Sequence, residues 1–396
     1  MNRSRVVVGM SAVLLVIGMQ GIVAADGHLA PVVSANSHSA ALRTAASSRQ
    51  LESNGNAGRV AYASAEYASA CDVPSVCATA DATCSSCQSV VCSCNCTPWW
   101  AHRNGGFGEL LFLSPGSSDL IYAVEQTGPN LGASPTGPVG ISNIQDELGY
   151  RVGFNWALSN KSSLAGSYTR WDGDTTTSMT ASGTNVLNSL LIHPSVATTG
   201  NASLEATAHQ SLTFQIADAT YRRVYKAYDC GILNSIVGLR YGNLEQGLRG
   251  EQTVSVPTGT TTVTTDVDFN GFGIVGGFDG ERHARESGLL IYGRTVGSLL
   301  SGNWQADYQQ VNQFGGGTIA NHYEDFRISP MLDAELGCGW QTKGGGLRFT
   351  TGYLFSSWFN TVDNRDYIQA VRNGTMLDLN QALTFSGLTF RTEMRF

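Results

Sequence analysis

The sequence predicts an all-β chain: a transmembrane antiparallel up-and-down β-barrel of about ten to twelve strands, preceded by a disordered Cys-rich arm. Three observations carry this. Only 14% of the 396 residues are Asp, Glu, Lys or Arg, against about 25% in soluble domains, so part of the surface is wetted by something other than water. From about residue 107 to the last, an apolar face alternates with a polar or small one, which is the period of a strand. After the first 25 residues no stretch reaches the ~18 to 20 uninterrupted apolar residues of a spanning helix, which leaves a soluble protein outside the cytoplasm or a membrane barrel.

The opening, MNRSRVVVGMSAVLLVIGMQGIVAADG, has the layout of a secretory signal. Arg3 and Arg5 precede an apolar run from Val6 to Met19, and Val23 and Ala25 stand at the spacing a signal peptidase prefers. Residues 1–25 are expected to be cleaved and the mature chain to pass through the inner membrane to the cell outer membrane.

From Asp26 to Ala101 the chain is rich in Ala and Ser, a composition that buries too little apolar surface to offset the entropy of ordering. Residues 26–101 are expected to be a mostly disordered periplasmic arm. Seven of the nine cysteines lie in it, at Cys71, Cys77, Cys84, Cys87, Cys92, Cys94 and Cys96. The C-x-x-C at Cys84 and Cys87 is followed by a C-x-C-x-C too tight for a second zinc pair. Thiols outside the cytoplasm oxidise, so disulfides are expected ahead of a metal. An odd number cannot all pair within the arm: at least one stays free, reaches Cys230 or Cys338, or bonds another chain, and the expectation is that copies are cross-linked.

Residues 102–396 read as the barrel. Ten strands are expected at about 107–124 (kinked at Pro115-Gly116), 147–158, 162–172, 209–223, 230–244, 268–279, 287–301, 327–340, 346–359 and 383–396. In LGYRVGFNWAL, Tyr150, Val152, Phe154, Trp156 and Leu158 share one face and Arg151, Gly153, Asn155 and Ala157 the other. GLRFTTGYLFSSW and TFSGLTFRTEMRF repeat the pattern. Short connections (159–162, 342–346) are expected to alternate with long ones (172–210, 243–268, 302–326), as in a transmembrane barrel. A soluble β-sandwich shares the alternation but turns a charge-rich face to water. Here Phe, Tyr and Trp line one face, while Gly, Asn, Ser and a few charges line the other, as in a narrow polar lumen. Terminal Phe396 adds to the barrel reading and makes the barrel assembly machinery an expected partner of the last strand, beside outer-membrane lipid.

The stretch DVDFNGFGIVGGFDG, Asp266 to Gly280, admits three readings. As a calcium loop it has Asp266, Asp268, Asn270 and Gly271 in place, but Gly277 stands where a bidentate Glu is needed. As a dinucleotide fingerprint, Gly271, Gly273 and Gly276 match, but the charged turn GFDGERHARES offers no helix N-terminus to a pyrophosphate. As a strand it is consistent: Phe272, Ile274 and Phe278 share one face, and the other, with Gly271, Gly273, Val275 and Gly277, is kept small.

Several pieces resemble the family of pore-forming outer-membrane proteins typified by the Legionella major outer membrane protein, which is also frequent in planctomycetes. They include ELLFLSPGSSDLIYAV (Glu109 to Val124), GYRVGFNWAL (Gly149 to Leu158), SSLAGSYTRW (Ser162 to Trp171), SIVGLRYGNL (Ser235 to Leu244), DAELGCGW (Asp333 to Trp340) and GLTFRTEMRF (Gly387 to Phe396). The resemblance covers about Gly105 to Phe396 and implies an outer-membrane barrel of the planctomycete type that passes small solutes. It does not extend to the arm.

A net charge of -7 with scattered Lys and Arg excludes a nucleic-acid surface. His193, His209, His283 and His322 lack H-E-x-x-H spacing and G-x-S-x-G is absent, so no enzyme, cofactor or metal is expected. Arg151, Arg240, Arg294, Asp333, Glu335, Arg348, Arg391, Glu393 and Arg395 share the polar parity of their strands and are the expected lumen charges. They allow two readings, a constriction that sorts small solutes by charge or an internal ion-pair network that plugs a narrow tube. The first makes the chain a porin that passes small solutes, which is the leading expectation; the second is the alternative, a structural or adhesive barrel with a plugged lumen cross-linked through its arm.

Overall fold

The computed structural model describes residues 99–129, 133–196, 203–228, 230–255, 258–284, 287–313, 317–376 and 379–396. The signal, the arm up to residue 98 and its seven cysteines lie outside them. The strands are β1 (Gly105–Gly116), β2 (Leu120–Gln126), β3 (Pro135–Ser142), β4 (Glu147–Ser159), β5 (Ser162–Thr180), β6 (Val186–Ser189), β7 (Ser203–Ala227), β8 (Gly231–Ser255), β9 (Thr258–His283), β10 (Leu289–Asn312), β11 (Thr318–Gln341), β12 (Leu347–Thr361) and β13 (Gln381–Arg395). Among the described residues one α-helix, α1 (Asn364–Asn373), lies between β12 and β13.

Ten of the thirteen described strands close a ring. β1 pairs with β4, β4 with β5, β5 with β7, and each later strand with the next through β13, which pairs back onto β1. Every pairing is antiparallel, so the wall is up-and-down. The register puts Glu109 level with Arg151 on one side and Arg391 on the other. The remaining strands form a ribbon: β6 joins β7 at Leu187 and Ser203, β2 joins β6, and β3 joins β2. Their buried residues Leu120, Tyr122 and Leu187 enter the same apolar cluster as the inner wall.

The outer face carries an apolar belt. Phe112, Val152, Trp156, Leu239, Ile274, Leu299, Ile328, Leu336, Tyr353 and Phe390 are exposed there. Aromatics bound it, with Trp156, Tyr225 and Trp340 toward the short-turn end and Tyr241, Phe326 and Phe359 farther along, the girdle of a lipid interface. Cys338, a free thiol, is exposed on this face. Phe396 closes the chain exposed, its backbone N–H donating to the Asn104 carbonyl at 2.9 Å.

Three expectations need correction. The segment 107–124 is not one kinked strand. β1 ends at Gly116, Ser117 takes a positive φ of 65°, and the chain leaves the wall to form β2. The connections expected at 243–268 and 302–326 are mostly wall, since β8 runs to Ser255, β9 starts at Thr258, β10 runs to Asn312 and β11 starts at Thr318. Much of 172–210 is likewise strand, in β5 and β7. The physical reason is one property of the sequence. Stretches such as TGTTTVTT and NWQADYQQ keep the period of 2 and the β-branched or aromatic residues of strands but lose the apolar outer face, because they stand in water. β7 to β11 have 24 to 26 residues each, more than twice the ~9 to 11 that cross a bilayer, so the wall continues well beyond the belt as a polar stalk.

The third reading of Asp266 to Gly280 is the observed one: it lies within β9, with Phe272, Ile274 and Phe278 exposed on the belt and Val275 buried inside. A Cβ at Gly273 would fall on the Leu299 carbonyl oxygen, and one at Gly277 on that of Thr295. A ten-strand wall coils tightly, and glycine on its inner side lets neighbouring backbones approach. Gly273→Val should therefore cost at least the ~1 to 3 kcal/mol of overpacking, read as a loss of the fast-migrating folded band on unheated gels.

Candidate functional site in the barrel lumen

The inner face is filled at two levels. Nearest the short turns it is ionic. Arg240, fully buried on β8, donates from Nε to Asp218 Oδ1 at 2.7 Å and from Nη2 to Asp218 Oδ2 at 2.8 Å, and its Nη1 reaches Asp333 on β11, three strands away. Ser356 Oγ donates to the other Asp333 oxygen at 2.6 Å. Arg151 Nη1 lies 3.0 Å from Glu109 and 3.7 Å from Glu335 across the lumen. Tyr292 Oη donates to Glu335 at 2.6 Å and Thr389 Oγ1 at 3.2 Å. Arg348 pairs with Glu281 at 2.5 Å, and Glu393 receives Arg391 at 3.2 Å and Arg395 at 2.8 Å.

All nine residues read from the sequence as lumen charges point inward, and the structure joins eight of them in these pairs; Arg294 lies buried beside them. Glu109, Asp218, Asp279, Glu281, Arg222 and Tyr292 complete the layer and are absent from the sequence reading. Their signal was present: Glu109 has the parity of Phe107 and Leu111, and Asp218 that of Ile216 and Thr220, all of which are buried inside.

Beyond the charges the lumen is aromatic. Phe214 on β7 lies 4.6 Å from Phe385 on β13 and 6.4 Å from Trp358 on β12, ring centroid to ring centroid. Trp358 also meets Phe269 at 6.3 Å, and Phe269 stacks on Trp304 at 4.8 Å. β7 and β12 are diametrically opposite in the ring of ten. The aromatic floor thus spans the full bore.

Above the floor sits α1. Tyr367, Ile368 and Val371 recur at i, i+1 and i+4 and are buried, the stripe of an amphipathic helix, and Gly374 ends it at a φ of 67°. Its flanks are tied to the wall: Gln246 Nε2 donates to the Val362 carbonyl at 2.7 Å, Tyr367 Oη to that of Ala306 at 2.8 Å, and Arg372 Nη1 to that of Leu190 at 2.8 Å. Burial raises the Asp363 carboxyl, just before the helix, to about 6.

The four histidines are scattered. His193 hydrogen-bonds Ser195 at 2.9 Å, His209 bonds Thr176 at 2.9 Å, and His322 meets Asp307 at 2.8 Å on the outer face. His283 ends β9, packed at 4.5 Å against Trp99.

The chain approaches β1 through His102, whose ring lies 2.6 Å from Ser163 Oγ and 3.3 Å from Asn234 Oδ1. Asn234 donates its amide hydrogen to Asp279 at 2.5 Å, so its oxygen faces the ring and Nε2 is the donor. Burial, then the charge of Arg222, lowers the imidazole from 6.5 to about 4. A base whose folded value is lowered stabilises the fold above the unfolded value, and that stability is lost as pH falls from 6.5 toward 4. The loss is at most about 3 kcal/mol at 1.36 per unit, and solvent at the mouth reduces it. Acidification should release the 99–104 segment, seen as a fall in the hydrogen-exchange protection factor of the His102 N–H, which donates to Asn160 at 3.1 Å; a protection factor unchanged down to pH 4 would contradict it.

A closed antiparallel wall, apolar outside at belt height and polar or packed within, is an outer-membrane β-barrel. The sequence places it more closely: residues 107–396 match the model for the Legionella pneumophila major outer membrane protein precursor, and the chain belongs to that family. Among solved structures it is similar to the outer membrane protease OmpT from Escherichia coli, at 10% identity and a TM-score of 0.40 over 74% of this chain and 97% of that one. It is also similar to the toluene transporter TodX of Pseudomonas putida, at 9% identity and a TM-score of 0.32 over 74% and 90%. No curated protein matches it.

Proposed function

We propose that this chain is a closed outer-membrane anchor, a structural or adhesive barrel that holds a rigid polar stalk outside the membrane. The observation that carries this reading is the contact of Phe214 with Trp358 from opposite walls, 6.4 Å between centroids, with α1 packed above and the Arg240 network below. Passage of small solutes would require a path around these rings. The water-facing strands of β7 to β11, with Thr213, Asp307, His322 and Glu324 on their outer face, supply the surface for partners. The role assigns no reaction to the chain. Insertion uses the last strand and Phe396 as the handle for the assembly machinery, and disulfides of the arm link copies.

Purified protein in planar bilayers tests the central claim. The closed anchor gives silent membranes while circular dichroism and heat-modifiable mobility report a folded barrel. Discrete conductance steps from the same preparation would overturn it in favour of a porin.

A further inference from the structure

We infer that the inner mouth of the barrel holds a binding site for a small oxyanion of phosphate size, centred on Arg294. The cavity there, lined by Arg294 and four other arginines, has about 60 Å³ open to the centre of a water molecule. One water needs roughly 10 to 15 Å³ by that measure, so it has room for about four waters or one tetrahedral anion.

The charges do not cancel within it. Arg222 is committed to Asp279, Arg348 to Glu281, and Arg391 and Arg395 share Glu393. The fourth acid on the lining, Glu335, is taken by Tyr292, Thr389 and Arg151. Arg294 is left over. It is 97% buried, being 3% exposed, yet its Nε and Nη1 have no hydrogen-bond partner among the described residues. The Nε of Arg348 on the same lining is also unpartnered.

Arg294 stands level with Asp279 and Glu335, yet buried donors without a hydrogen-bond partner are costly, and the planar fork of a guanidinium matches the spacing of two oxygens on a phosphate or sulfate. An anion seated here would satisfy the unpartnered donors of both arginines. Arg222, Glu281 and Arg395 lie at the short-turn ends of their strands, so the site is reached from the periplasmic side. The ligand is a free anion, since acyl chains of a lipid could not follow its headgroup into the lumen. The inference does not depend on whether the lumen conducts.

The test uses the full chain in detergent, in chloride buffer of constant ionic strength, with inorganic phosphate as probe. Equilibrium dialysis should show one phosphate per chain, saturably bound. Arg294→Gln should weaken it roughly ten- to hundredfold, the range of a charged hydrogen bond. Arg170→Gln, on the outer face, should bind as the wild type does. With phosphate absent, Arg294→Gln should be at least as stable as the wild type, because it removes an unpaired charge; a merely structural arginine would make it less stable. Binding that is not saturable, or is equal in Arg294→Gln, overturns the site. If that variant does not fold, the wild type decides: a rise in unfolding midpoint that follows the logarithm of phosphate concentration over chloride supports the site, and a flat or linear response rejects it.

Discussion

Replacing residues 363–376 with a short Gly/Ser linker and truncating Phe214 and Trp358 to Ala should turn a silent barrel into one that opens in planar bilayers. The three changes remove the helix and the pair of rings that meet from opposite walls, and leave the segment around Leu191, which accepts from Tyr308 Oη at 3.0 Å, as the remaining filling above the charges. α1 presents Tyr367, Ile368 and Val371 to the lumen, and the two rings are the pair that meets from opposite walls. Each truncation costs about 3 to 5 kcal/mol of packing, but the wall is held by its own ladder of backbone hydrogen bonds and should remain a barrel on unheated gels. Below the floor lie charges and the inner cavity, which hydrate readily, so current should flow in brief, small steps. Silence from a folded variant would assign the closure to the contacts that remain, that of Leu191 with Tyr308 and that of Arg240 with Asp333.

Arg240→Ala should be the most damaging single substitution in the wall. It strands Asp218 and Asp333, both almost fully buried, without a counter-charge. Removing one partner of a buried ion pair costs about 3 to 5 kcal/mol, and here two carboxylates lose the same guanidinium. The urea midpoint of refolding into micelles should fall accordingly. Arg240→Met combined with Asp218→Asn and Asp333→Asn should recover most of the loss, because replacing a whole buried ionic group by neutral residues of similar volume is often close to neutral. If the triple variant is no more stable than Arg240→Ala, the penalty comes from lost packing and not from stranded charge.

The sequence by itself determined the wall. Tyr150, Val152, Phe154 and Trp156 against Arg151, Gly153 and Asn155 is an alternation that only a strand between two different media can use, and each of the ten stretches that show it falls on one wall strand, the first running on from β1 into β2 of the ribbon. It also determined which charges face inward, because parity follows from the chain alone: once Val152 is outside, Arg151 is inside. How far the strands run was less legible, since above the belt both faces are polar and the contrast that marks a strand's outer side disappears, as in TGTTTVTT.

What fills the tube was decided by tertiary structure. Phe214 and Trp358 stand 144 positions apart in the chain, and nothing local states that their rings meet. That follows from ten strands closing into a narrow ring, which places β7 opposite β12. The same closure brings Arg240 to Asp333 and Arg348 to Glu281, and leaves Arg294 between acids already taken. Parity is a one-dimensional property and survives in a sequence. Partnership across a lumen depends on register, ring size and shear together, which exist only once the barrel has closed.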